Sequence, residues 1–295
     1  MSDAPRGSLT ASARAYYELT KPGIVGYVVL VTAASYHVGA GGTGDLVTLL
    51  HSAIGTALGT AGALALNQYL EREVDGRMLR TRSRPLPTGR LKPRAALMFS
   101  LLLFSGGIAY LWGLVGPLPA LLTLASGLAY DYVYTPLKSR SYLATLAGAV
   151  PGAVPALIGW SAATGSVGLG GWILFAIAYL WQMPHVLGLA WVLRDDYATA
   201  GFRLAPPSDP EGRAIGLHMM LYSATLVPVS LLPGVVGLTG TVYMVGALLL
   251  GCWLVALTVR AWRGMTNESA RRVFLGSLIY QPLLLALLLI DTVRM

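Results

Sequence analysis

Apolar runs about twenty residues long recur from one end of this chain to the other, each long enough for a helix to cross the hydrocarbon core of a bilayer. Nine are read, at roughly 24–42, 46–66, 95–112, 115–131, 142–162, 171–193, 214–233, 240–262 and 272–291. In lipid every backbone polar group must be satisfied internally, which leaves helices or a closed barrel. A barrel would alternate apolar and polar residues with period two, and these runs do not. The expected class is therefore all-α, a polytopic membrane protein of about nine transmembrane helices. Only 12% of the residues are charged, half the share usual in a soluble domain.

The charge that remains is one-sided. A net charge of +8 could suggest a nucleic-acid partner, but membrane topology explains it better. With the N-terminus in the cytoplasm, every Lys and Arg except Arg294 falls on the cytoplasmic side. The loops at 39–45, 113–117, 164–171 and 233–240 are short, glycine-rich and almost uncharged, whereas 67–94 and 194–213 are long and charged. This asymmetry predicts a multi-pass protein of the plasma (inner) membrane with a cytoplasmic N-terminus, cytoplasmic active-site loops and no nucleic acid. Residues 1–20 read as a polar cytoplasmic tail without a cleavable signal, and 21–295 as a single transmembrane domain. The single cysteine, Cys252, builds neither a disulfide nor a metal cluster and reads as a small buried apolar residue.

Three segments carry the polar chemistry. In NQYLEREVDGRMLRTRSRPLPTGR (67–90), Asn67, Glu71 and Asp75 are spaced four apart. If the second span continues as a helix, they line one face about 12 Å long. Such a row of oxygen donors suits Mg²⁺, which prefers a few carboxylates plus substrate phosphates, and Glu73 could reach a second ion. The same spacing also suits a solvated helix end with Glu–Arg pairs. Arg80 and Arg84 follow, and guanidinium groups grip phosphate oxygens in pairs. In YDYVYTPLKSRSY (130–142), Lys138 and Arg140 stand among Tyr130, Tyr132, Tyr134 and Tyr142, which equally fit an interfacial aromatic belt. Asp131 either pairs with a nearby base or joins the metal site.

In WQMPHVLGLAWVLRDDY (181–197), His185 lies about 13 Å below the end of its span. Ionisable groups at that depth are functional candidates, and a core histidine bonded to a carbonyl is the plainer reading. Pro184 frees backbone groups, as cavity-lining helices tolerate. Asp195 and Asp196 end the same span. His37, His51 and His218 read as residues of span ends or helix interfaces. The Gly- and Pro-rich run 143–160 permits either close helix packing or an open groove.

The stretch N-Q-Y-L-E-R-E-V-D with R-T-R-S-R-P-L-P-T-G-R behind it resembles the first acidic motif of the UbiA-type intramembrane prenyltransferases. YTPLKSRS (134–141), AGAVPGAVPALIGWSAATG (147–165) and WQMPH with RDDYATAG (181–201) resemble its heme-farnesylating branch. The resemblance runs from about residue 16 to the end. It implies a bundle around a central cavity opening to the cytoplasm, and Mg²⁺-dependent transfer of a farnesyl group from farnesyl diphosphate to heme b. By position, Asn67, Glu71 and Asp75 would hold Mg²⁺ and diphosphate, with Asp195 and Asp196 as further metal candidates. Arg80, Arg84, Lys138 and Arg140 would bind the diphosphate, and His185 would belong to the heme side. It also allows contact with heme A synthase or terminal-oxidase assembly factors. The chain departs from the pattern where Glu71 and Glu73 replace aspartates, where Asp195–Asp196 condenses a spaced pair, and where Gly201–Phe202–Arg203–Leu204–Ala205–Pro206 replaces G-x-P-M-L-P. Prenylation of a quinone or chlorophyll precursor, or a heme or polyprenyl-lipid carrier without chemistry, are the other readings.

Overall fold

A computed structural model of the chain describes residues 9–202 and 209–293. Arg6, Arg294 and the departure at 203–206 lie outside the described residues. The helices are α1 (Leu9–Leu19), α2 (Pro22–Gly39), α3 (Leu46–Leu70), the single turn α4 (Arg72–Asp75), α5 (Pro93–Leu114) and α6 (Pro117–Leu128). After a π-helical stretch, Ala129–Tyr134, come the short α7 (Thr135–Leu137), α8 (Ala144–Thr164), α9 (Leu169–Val192), the short α10 (Arg194–Thr199), α11 (Arg213–Val235), α12 (Thr241–Arg263) and α13 (Asn267–Ile290).

Among the described residues, 8 helices are long and apolar enough to cross a membrane. The remaining expected span is composite. α6 has only 12 residues, and the π-helix and α7 carry it on to Leu137. The expectation of about nine membrane segments is met in that form. Helix starts follow local chemistry: Pro22, Pro93 and Pro117 open α2, α5 and α6, where their missing N–H costs nothing. The Asp45 carboxylate caps α3 by accepting from the Val47 and Thr48 amides.

Small residues set how closely the helices approach. A Cβ at Gly62 would stand 2.3 Å from the Phe104 nitrogen, and one at Gly107 2.3 Å from the Gly59 nitrogen, so α3 and α5 touch backbone to backbone. A Cβ at Gly159 would lie 2.0 Å from the Thr32 carbonyl, which joins α8 to α2. The run 143–160 does both things the sequence allowed, because Gly148 and Gly152 line an internal cavity instead.

Outward faces are apolar: Leu102 on α5 and Leu249 on α12 are largely exposed, as a lipid solvent permits. Cys252 corrects an expectation. α12 buries the stripe Tyr243, Ala247, Gly251, Leu254, Thr258 and Ala261, and Cys252, one position off that stripe, is exposed. The N-terminal segment read as a polar tail contains α1, which is pinned rather than free. Ala15 and Leu19 pack on Ala65, Leu86 and Leu91, and the Gln68 amide donates to the Leu19 carbonyl at 2.7 Å. Arg90 pairs with Glu18 at 2.7 Å.

Candidate active site

The acidic row sits where α3 stops. The expected continuous helix ends at Leu70, because the Arg72 guanidinium turns back, donates to the Tyr69 carbonyl at 2.9 Å and covers the Tyr69 ring. The four-residue phase nevertheless survives. The Glu71 amide donates to the Asn67 carbonyl at 2.9 Å and the Asp75 amide to the Glu71 carbonyl at 2.7 Å. Asn67, Glu71 and Asp75 are therefore all turned inward, with exposures of 1%, 7% and 1%. Glu73, off the row, faces solvent beside Arg72.

Each inward group is met by a cation. Lys21 Nζ donates to Asn67 Oδ1 at 3.0 Å. Lys138 Nζ donates to both Glu71 oxygens at 2.9 Å. Arg84 Nη1 donates to Asp75 Oδ2 at 2.7 Å, while Asp75 Oδ1 is buried without a partner. The Asn67 amide is further fixed by donating to Thr135 Oγ1, which donates in turn to the Tyr130 carbonyl. Three basic side chains thus face the two carboxylates of the row, with the buried Asp131 carboxyl near Lys21 and Lys138.

Lys21 was not singled out by sequence reasoning, which counted it only among the cytoplasmic positive charges. Its place directly before Pro22 disfavours the right-handed helical region but does not say whether the side chain turns inward. Lys21 takes a left-handed φ of 50° at the N-cap of α2. Burial, then repulsion from Arg84 and Lys138, pushes its ammonium down to about 7. Burial also opposes the charge on Lys138, but the Tyr134 and Tyr130 hydroxyls and the Glu71 carboxylate outweigh it and hold its pKa above the ordinary lysine range.

The other expected residues take different places. Arg80 is at the rim, its guanidinium 5.9 Å from the Tyr197 ring centre, and Arg140 is exposed. The second acidic pair does not join the first. The Asp195 side chain is 91% exposed, and the Asp196 carboxylate accepts from the Leu79 and Arg80 amides at 2.7 and 3.4 Å. Asp196 thus clasps α10 to the loop after α4, so that the Phe202 ring lies 5.6 Å from Lys138 Nζ. Asp131 is buried with Oδ1 unpartnered. Among the described residues no three His, Cys, Asp or Glu side chains gather as a metal cluster.

Beneath the charges lies a cavity of about 440 Å³, bordered by Tyr27, Phe104, Tyr130, Tyr134, Trp181 and His185 among others, within the range of ligand sites. Tyr134 links the two regions, since Lys138 Nζ stands 4.6 Å over its ring. His185 does not bond a carbonyl. Its Nδ1 lies 2.9 Å from Ser277 Oγ, and Trp181 and Phe274 flank the ring. His51 bonds Tyr110 at the α3–α5 interface at 2.7 Å, and His218 is exposed near the start of α11, both in keeping with their reading.

A cluster of paired charges close to an apolar chamber, inside a bundle of helices long and apolar enough to cross a membrane, is the arrangement this fold presents. Residues 28–285 match the UbiA prenyltransferase family, and the chain belongs to that family. Protoheme IX farnesyltransferase of Solibacter usitatus is 42% identical over 287 residues, covering 94% of this chain and 98% of the relative. That of Salinibacter ruber is 42% identical over 276 residues with the same coverage. The fold resembles a digeranylgeranylglyceryl phosphate synthase structure, with a TM-score of 0.80 at 16% identity over 96% of this chain and 99% of the other. It also resembles a UbiA homolog from Archaeoglobus fulgidus bound to GPP and Mg²⁺, with a TM-score of 0.62 at 15% identity over 93% and 99%.

Proposed function

We propose that this chain transfers the farnesyl group of farnesyl diphosphate to a vinyl group of heme b (protoheme IX), giving heme O and releasing diphosphate. One observation carries the reading. Asn67, Glu71 and Asp75 are buried just beyond Ala63 and Leu64, which line an apolar cavity, and each is already held by a cation suited to phosphate oxygens. The names of the curated relatives support the choice of heme as acceptor.

The donor set fits Mg²⁺, which takes one or two carboxylates and completes its shell with phosphate oxygens and water. The buried, unpartnered Asp75 Oδ1 supports a cation at this place. Asn67, Glu71 and Asp75 would hold the ion, which when bound supplies positive charge to the departing diphosphate.

Lys21, Arg84 and Lys138, now bonded to the acidic row, would turn to the diphosphate as the acids engage the metal, with Arg80 and Arg140 at the rim. The allylic C–O bond breaks and its electron pair leaves on the diphosphate oxygen, where these cations stabilise it. The aromatic and aliphatic walls keep water from the allylic cation. The heme vinyl electrons form the new C–C bond, and water adds to the resulting cation and releases a proton to solvent. His185 belongs to the heme side of the cavity.

The protein is read as one transmembrane prenyltransferase domain, 21–295, in the plasma (inner) membrane, with the N-terminal segment and the site on the cytoplasmic side. The test is to incubate membranes holding the protein with heme b, farnesyl diphosphate and Mg²⁺, then take the mass of the porphyrin. Conversion of one vinyl group to a hydroxyethylfarnesyl group, a gain of farnesyl plus hydroxyl, is expected. Unchanged heme beside a prenylated quinone precursor would overturn the assignment.

A further inference from the structure

The wall of the cavity built by α9 and α13 holds a hydrogen-bond pattern that the diphosphate site does not use. Ser277 is fully buried on α13. Its Oγ lies 2.6 Å from the Phe274 carbonyl, which can only accept. A serine hydroxyl has one proton, and the shorter contact takes it. Toward His185 Nδ1, at 2.9 Å, the same oxygen must therefore accept. That assigns the proton to Nδ1 and leaves the lone pair of His185 on Nε2. The Ser277 carbonyl also accepts from Trp181 Nε1 at 2.8 Å, and Trp181 stacks on the imidazole at 5.1 Å. Phe274 stands on the ring too, at 4.8 Å. One buried serine thus fixes both the tautomer and the orientation of a histidine that borders the cavity.

We propose that Ser277 is a positioning residue that holds His185 as its Nδ1–H tautomer, so that Nε2 coordinates the iron of the heme substrate from the cavity wall. The inference rests on the heme reading above and deepens it. Histidines that bind metal ions as a rule donate their second N–H to a fixed acceptor, which sets tautomer and ring plane. A role as proton acceptor fits less well. The proton would leave a cation among Trp181, Phe274, Val186 and Leu278, and among the described residues no carboxylate lines the cavity. Coordination to iron leaves the imidazole neutral. It would also set the porphyrin at a fixed height in the bundle, and with it the vinyl groups.

The experiment is a heme b titration of the purified full-length protein in nanodiscs without farnesyl diphosphate, followed through the Soret band in both iron oxidation states. Wild type is expected to give a histidine-ligated spectrum. His185→Ala is expected to lose it and to recover it on addition of imidazole. Ser277→Ala should weaken heme binding roughly 10- to 100-fold, while Ser277→Thr, which keeps the hydroxyl, stays near wild type. If Ser277→Ala does not fold, Ser277→Cys, with a poor acceptor of similar size, carries the same comparison. A His185→Ala spectrum identical to wild type, or an unchanged affinity in Ser277→Ala or Ser277→Cys, overturns the proposal. Farnesylation of heme by wild type alongside such a result would leave the transfer reading standing. Neither a heme spectrum nor farnesylated heme in wild type would overturn both.

Discussion

At Asp75 one carboxylate oxygen answers Arg84 at 2.7 Å and the other is buried without a partner. Asp75→Asn keeps the volume but removes the charge that a metal and Arg84 both require. Loss of one such preorganised group costs on the order of 10²–10³ in rate, so turnover at limiting Mg²⁺ should fall at least about 100-fold, read as farnesylated porphyrin. Wild-type turnover in this variant would remove Asp75 from the metal site. Lys21→Gln is a finer test, because glutamine can still donate to Asn67 but carries no charge. A charged hydrogen bond contributes about 1.5–3 kcal/mol. The KM for farnesyl diphosphate should therefore rise roughly 10- to 100-fold while heme affinity stays constant; an unchanged KM would place Lys21 outside the diphosphate site. The acidic row was legible because its members lie four apart on one chain. Lys21 was not, because a lysine beside a span start looks the same whether it meets lipid headgroups or turns inward, and only its left-handed backbone separates the two. Glu71 reaches Lys138, which bonds both its oxygens.

Among the elements, glycine decides which helices meet. A Cβ at Gly159 would stand 2.0 Å from the Thr32 carbonyl, and backbone cannot yield there as a flexible side chain would. Overpacking of this kind costs about 1–3 kcal/mol, so Gly159→Ala should lower the melting temperature in detergent. Gly106 on α5 has open space where a Cβ would go. Gly106→Ala should leave the melting temperature unchanged or raise it, since alanine favours a helix by about 0.5–1 kcal/mol over glycine. Equal effects of the two substitutions would refute the packing account. The π-helix at Ala129–Tyr134 escaped the sequence because residue spacing does not distinguish an α from a π turn. It matters here, because Tyr130 and Tyr134 from that stretch both border the cavity, and π turns gather at functional sites.

For the molecule as a whole, the charge asymmetry predicts its orientation. In a Cys252→Ser background, Ser166→Cys, in the loop between α8 and α9, should react with a membrane-impermeant maleimide in intact cells. Arg82→Cys, beside the acidic row, should react only after permeabilisation. The opposite pattern would reverse the orientation. Span number, the charged face and the family motifs were all legible in the chain, because hydropathy, charge and four-residue spacing are local properties that need no partner. What the tertiary structure alone decided is which distant groups share a site. Lys21 meets Asn67 across 46 positions, Lys138 meets Glu71 across 67, and Ser277 meets His185 across 92. Those meetings depend on the depth and angle at which helices pack, set by close contacts such as those at Gly59, Gly62 and Gly159, and no one-dimensional pattern encodes the distance between two helices.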